Sequence, residues 1–104
     1  MDTPTLIQMA GAIAHDAGPY YNVVYMPDSE YRAYALRYLL TGIYHKPPMG
    51  IDAYPSADEL YVVASSTRSL DNDIPWEVSS FHPISRSVFY TAPNGKNVVY
   101  KLGK

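Results

Sequence analysis

Apolar residues recur at helical spacing near the start of the chain: Leu6, Ile7, Met9, Ala10, Ile13, Ala14 and Ala17. Steps of three and four place them on one face. Thr3 offers a hydroxyl N-cap, and Pro4 lacks only an N–H that the first turn does not use. Gly18-Pro19 then stops the helix, so the pattern predicts a first helix over 4–17. Asn22-Val23-Val24-Tyr25-Met26 is β-rich and ends at Pro27, which predicts a strand. Pro27-Asp28-Ser29 supplies a turn and a cap for a second helix over 30–43. Its stripe is expected to hold Tyr31, Ala35, Tyr38 and Leu39, with Leu36, Leu40 and Ile43 beside it and Arg32 and Arg37 pointing outward.

A loop over 44–58 carries Pro47, Pro48, Gly50 and Pro55. Glu59-Leu60-Tyr61-Val62-Val63-Ala64-Ser65 follows as an apolar run without alternation, the signature of a strand covered on both faces. Strand, helix and buried strand make a parallel, right-handed βαβ unit. Further on, Asp73 and Pro75 are placed to cap and open a short helix through Trp76 and Glu77. Val88–Ala92 and Asn97–Leu102 flank Asn94-Gly95, a pair suited to a type I′ hairpin turn. That register sets Phe89 against Tyr100 and Thr91 against Val98. The expected fold is one α/β domain over 1–104. It is a small sandwich with a βαβ unit, two parallel strands, a C-terminal antiparallel hairpin and two main helices.

Composition narrows the function. Charged residues are 17% of the chain, below the usual level of about 25%. The net charge of −2 and the scattered Lys and Arg argue against nucleic acid, which a basic patch would mark. A chain that is 47% hydrophobic is not disordered. Cysteine is absent, so disulfides, a thiol nucleophile and thiolate metal sites are excluded. The N-terminal residues lack a basic n-region, and no signal peptide is expected. No apolar stretch approaches the ~20 residues that cross a bilayer.

Candidate chemistry is sparse. Neither glycine-rich phosphate motif occurs, and Asp28 would repel a phosphate at the turn where one would sit. His15, His45 and His82 lack metal-ligand spacing, and His15 suits the end of the first helix as a cation. Asp71-Asn72-Asp73 begins like a calcium loop, but Pro75 and His82 occupy positions where ligands are required. Turn and cap chemistry accounts for that stretch. Ser65-Ser66 and Ser79-Ser80 lie outside any nucleophile elbow. No cofactor and no metal are expected. Ligands of open α/β sheets bind at the carboxyl ends of the strands. A polar ligand would therefore meet Asp28 and Ser29 after the first strand, and Ser66, Thr67 and Arg68 after the second. The 11 tyrosines, against 2 Phe and 1 Trp, suit half-buried packing with a wet hydroxyl; any exposed ring is also a platform for a sugar.

The order of four segments carries a resemblance: Tyr34-Ala35-Leu36-Arg37-Tyr38-Leu39-Leu40, Ala57-Asp58-Glu59-Leu60-Tyr61-Val62-Val63-Ala64, Pro75-Trp76-Glu77-Val78-Ser79-Ser80-Phe81 and Val99-Tyr100-Lys101-Leu102. Over roughly residues 5–104 the chain resembles the C-terminal soluble domain of polytopic membrane glycosyltransferases of the dolichyl-phosphate-mannose protein mannosyltransferase and aminoarabinose transferase type. In such enzymes the membrane part holds the acidic catalytic residues and uses a lipid-phosphate sugar donor. The resemblance therefore implies an excised accessory domain, with Met1 not the native start. It implies an extracytoplasmic place, the membrane-embedded part of the parent transferase as partner, and a carbohydrate or polypeptide acceptor nearby. No catalytic position carries over. Two other readings remain: a freestanding small-ligand or regulatory domain using the strand-end rim, and a small hydrolase or transferase using Asp28, His82 or the Asp71/Asp73 pair.

Overall fold

A strand that is apolar at every interior position needs cover on both faces, and the fold is arranged around that need. The computed structural model describes residues 3–27, 33–65, 74–93 and 95–104. In chain order the elements are α1 (Thr3–Asp16), β1 (Tyr21–Tyr25), α2 (Tyr34–Gly42), a 3₁₀ turn (Tyr54–Ser56), β2 (Glu59–Ser65), α3 (Trp76–Ser79), β3 (Ser85–Thr91) and β4 (Asn97–Gly103). They form one mixed sheet ordered β1-β2-β4-β3. β1 runs parallel to β2, and β4 is antiparallel to both of its neighbours. The expected α/β architecture is present, with the βαβ unit and the closing hairpin.

Alternation divides the sheet residues between two cores. Tyr21 and Val23 of β1, Tyr61 and Val63 of β2 and Val99 of β4 face the helices, against Met9, Ile13, Leu36 and Leu40. Val24, Leu60, Val62 and Leu102 face the other way, under Tyr54, Ala57, Val78 and Phe81. The proline-rich loop and α3 thus do on one face what two helices do on the other.

Several sequence expectations are corrected. Ala33 has φ 62, a left-handed value that cannot continue a helix, so α2 starts at Tyr34. Residues 28–32, including the expected cap, lie outside the described residues. The inward stripe of α2 is Leu36, Leu39 and Leu40, whereas Tyr38 is 74% exposed and Ile43 also faces solvent. Pro75 stands at the N-cap position of α3 rather than inside it, and Asp73 lies outside the described residues.

The hairpin is corrected as well. β3 starts at Ser85, and its register shifts by one between Val88 and Tyr90. Val88, not Phe89, therefore faces Tyr100, while Thr91 faces Val98 as expected. The shift leaves Phe89 edge-on to Tyr61, with ring centroids 5.3 Å apart. Ala92 N–H donates to Asn97 O at 2.9 Å, and Gly95 N–H turns back to Ala92 O at 3.0 Å. The connection is thus longer than a two-residue type I′ turn. Pro93 has no N–H with which to close that shorter turn.

The largest correction concerns Arg37, which points inward across the edge of β1. Its Nη2 donates to Asn22 Oδ1 at 2.6 Å and to Tyr54 Oη at 2.8 Å, and its Nη1 to Met49 O at 2.6 Å. Tyr54 Oη donates onward to Val23 O at 2.7 Å, and Asn22 Nδ2 to Gly50 O at 3.0 Å. Met49 N–H donates to Tyr21 O at 2.9 Å, and Tyr21 Oη to Lys46 O. β1 is an edge strand, so its outward backbone groups need such partners. Arg37→Leu removes donors from buried acceptors and is expected to cost about 2–4 kcal/mol in urea unfolding. Arg37→Lys, which cannot span several acceptors with a planar fork, is expected to recover less than half of that loss.

Candidate functional site

The strand-end rim expected from the sequence cannot be placed residue by residue. Asp28, Ser29, Ser66, Thr67 and Arg68 all lie outside the described residues, as do Asp71 and Asp73. The strand ends that lead to them are adjacent, because Tyr25 pairs with Val63. The histidines sit on three different segments: His15 in the last turn of α1, His45 after α2 and His82 between α3 and β3. Among the described residues no three His, Cys, Asp or Glu side chains gather as a metal site, and no helix is long and apolar enough to cross a membrane.

The tyrosines divide by depth. Tyr21, Tyr54 and Tyr61 are fully buried, and Tyr44, half-buried, donates its hydroxyl to Ile7 O at 3.1 Å. Tyr20, Tyr34 and Tyr38 are exposed, the last two one turn apart on α2.

One ionic cluster joins three elements at the end of the sheet where β1 and β2 begin. Lys101 Nζ lies 2.7 Å from Asp16 Oδ2 and 3.0 Å from Glu59 Oε2. Tyr61 Oη donates to Asp16 Oδ2 at 2.5 Å, and Gly18 N–H to Glu59 Oε1 at 2.7 Å. A Cβ at position 18 would stand 2.8 Å from Glu59 Oε1, so any larger residue there would push that carboxylate aside.

The cluster's protonation states follow from these contacts. The hydrogen bond from Lys101, then that from Tyr61, holds Asp16 below its ordinary carboxylate range. Burial pushes Glu59 upward, but Gly18 N–H and Lys101 outweigh it and the net shift is downward. The hydrogen bond to Asp16 raises Lys101. Burial, then Asp16, raises the Tyr61 phenol. Each shift favours the form already present at neutral pH, the opposite of what a general acid or base needs. The cluster is a clamp that pins the end of α1 to β2 and β4.

A different kind of surface lies on the other side of the sheet, where cover gives out over β3. α3 and β3 bound a cleft of about 500 Å³. Val78 and Leu102 are the buried walls, Ile74 and Ile84 the exposed ones, and Ser79, His82 and Arg86 the polar ones. Around it Ile84 is 85% exposed, Ile74 64%, Val88 61% and Trp76 53%. The Arg86 guanidinium lies over the Tyr100 ring, 4.6 Å from its centroid. His82 adopts φ 56, a left-handed backbone that costs a non-glycine residue about 1–2 kcal/mol.

Sequence reasoning missed this face because it started the hairpin strand at Val88. The signal was the alternation Ile84-Ser85-Arg86-Ser87-Val88, which sets Ile84, Arg86 and Val88 on one side.

Searches of protein-family models, of curated proteins and of solved structures returned no match to this chain.

The clamp has a pH signature. Asp16 and Glu59 titrate lower when folded than when unfolded. Their contribution is present above the unfolded values of about 4 and is lost as pH falls through the folded ones. Lys101→Met is expected to cost about 1 kcal/mol at pH 7, because the pairs are partly solvent-screened. It is also expected to move the onset of acid unfolding to higher pH. Circular dichroism between pH 7 and 2 measures both effects.

Proposed function

We propose that this chain is a non-catalytic accessory domain of a membrane-bound glycosyltransferase of the protein mannosyltransferase or aminoarabinose transferase type. It sits on the extracytoplasmic side and seats its α3–β3 face on the membrane-embedded part, where it helps to position the acceptor. The observation that carries this reading is the gathering of Ile74, Trp76, Ile84 and Val88, all more than half exposed, on one side of the sheet. Several large apolar side chains left exposed on one face mark a candidate interaction site, and tryptophan is enriched among the residues that dominate binding energy.

The segment Pro75–Phe81, one of those that carry the sequence resemblance, builds this face. Val78 and Phe81 turn into the core and Trp76 turns out. One short helix therefore serves both folding and docking. Trp76 also packs edge-on to Tyr54, with centroids 6.2 Å apart, which holds the ring ready for a partner at small entropic cost.

An antibody against this chain is expected to detect the native protein in the membrane fraction, resistant to alkaline carbonate and well above 11.6 kDa. A free 11.6 kDa product in the supernatant overturns the reading. Ile84→Asp alters a position that is 85% exposed and is expected to change stability by no more than about 0.5 kcal/mol, whereas Trp76→Asp also loses the edge-on contact with Tyr54 and is expected to cost about 1 kcal/mol. The pair together is expected to cut glycosyl transfer by the intact membrane protein about tenfold or more. Full transfer activity with both substitutions would remove the docking role from this face.

A further inference from the structure

An open sheet has two edges, and this fold treats them differently. The 46–57 loop runs along the outer side of β1, where Met49 N–H donates to Tyr21 O at 2.9 Å. β3 ends the sheet order on the other side, paired only with β4 among the described residues. Residues 82–88 are exposed without a break, so the first half of β3 is open on both faces as well as along its edge. An edge of this kind is a template for another strand. The sequence there is Ile84-Ser85-Arg86-Ser87-Val88, which has the same pattern in both directions: apolar, serine, arginine, serine, apolar.

We propose that β3 pairs antiparallel with β3 of a second copy of this chain, about a two-fold axis at Arg86. In that register Ile84 lies opposite Val88 of the other copy, and Ser85 opposite Ser87. The apolar pairs form on the open face, where both side chains are more than half exposed in the single chain. The small serines let the two backbones approach on the helix side. A two-fold contact requires such self-complementarity, because residue i must suit j wherever j suits i. The neighbouring registers lack it: pairing about Ser87 sets Arg86 against Val88, and pairing about Ser85 sets Ile84 against Arg86. Arg86 meets its own copy at the axis, but each guanidinium is already engaged over the Tyr100 ring of its own chain, 4.6 Å from the centroid. With strands about 4.8 Å apart, cations held over β4 of each copy stand about 14 Å from one another, beyond the screening length of about 8 Å. The register shift at Phe89 bends the strand after Val88 and ends the pairing there. Among the described residues each copy offers one open edge, so association stops at two. The axis stands perpendicular to the sheet and leaves the α3–β3 faces of both copies on the same side. The pairing therefore neither rests on the docking reading nor competes with it.

Pairing over so short a stretch buries less than the roughly 1,000 Å² of a lasting interface, so the expected dimer is weak and concentration-dependent. The test is analytical ultracentrifugation of the 104-residue chain from about 10 µM to about 1 mM. The mean mass is expected to rise from 11.6 kDa toward twice that value across the range. Ile84→Asp is expected to weaken association about tenfold or more, and its amide spectrum verifies the fold. The register is read with introduced cysteines, because the chain has none of its own. A mixture of Ser85→Cys and Ser87→Cys chains is expected to be joined by a short bifunctional thiol reagent about tenfold faster than either variant alone. Tyr38→Cys, on the exposed side of α2, is expected to stay unjoined. A mass that stays at 11.6 kDa at the highest concentration would overturn the proposal. So would a dimer that Ile84→Asp leaves intact, or linkage through Tyr38→Cys as fast as through the serine pair.

Discussion

The interaction on which the rest of the structure depends is the bridge that Arg37 makes across the edge of β1. The parallel pairing of β1 with β2 uses only half of the backbone groups of β1. The other half would face water or a foreign strand. Arg37, Asn22 and Tyr54 direct the 46–57 loop along this edge and give its carbonyls partners. Because Tyr54 is anchored there, the same loop can cover the second face of the sheet. One guanidinium thus couples edge protection to core closure, and both conditions are needed for a small domain to bury enough apolar surface.

The two ends and two faces of the sheet then have different roles. The Asp16–Glu59–Lys101 clamp fastens α1 where β1 and β2 begin, with protonation states that its own contacts lock. On the helix face α1 and α2 cover β1, β2 and β4, with Phe89 and Tyr90 of β3 partly buried at the margin. Cover on the opposite face reaches β1, β2 and β4 but thins over β3, where Ile84 and Val88 remain exposed. The bulge at Phe89 adds to this division. It turns Phe89 toward Tyr61 and the helix-side core, while Val88 stays on the open side with Ile84 and Arg86. Ile84 and Val88 thus stay exposed where the second layer ends, while Tyr34, Tyr38 and Ile43 stay exposed along α2 and at its C-cap.

How far the site was legible in the sequence follows from the kind of signal each residue leaves. The nonalternating run of β2 announced two covered faces, because burial on both sides removes the need for polar positions. Arg37 left no such mark. On a helix an arginine reads as solvated, and only the loop that returns to meet it reveals its acceptors. Trp76, Ile84 and Val88 were ambiguous for the opposite reason: apolar residues read as core until the layer above them is found to be missing. The left-handed value at Ala33 left no mark in the sequence, since alanine, unlike glycine, does not signal positive φ.

By itself the chain determined the alternation of helix and strand, the parallel unit, the closing hairpin and the two-sided burial of β2. These follow from local periodicity and from proline and glycine punctuation, which act within a few residues. Tertiary structure alone decided that β4 lies between β2 and β3, that a loop and not a third long helix forms the second layer, and which apolar side chains remain outside. Those outcomes depend on contacts between residues tens of positions apart, and no local pattern encodes where such contacts end.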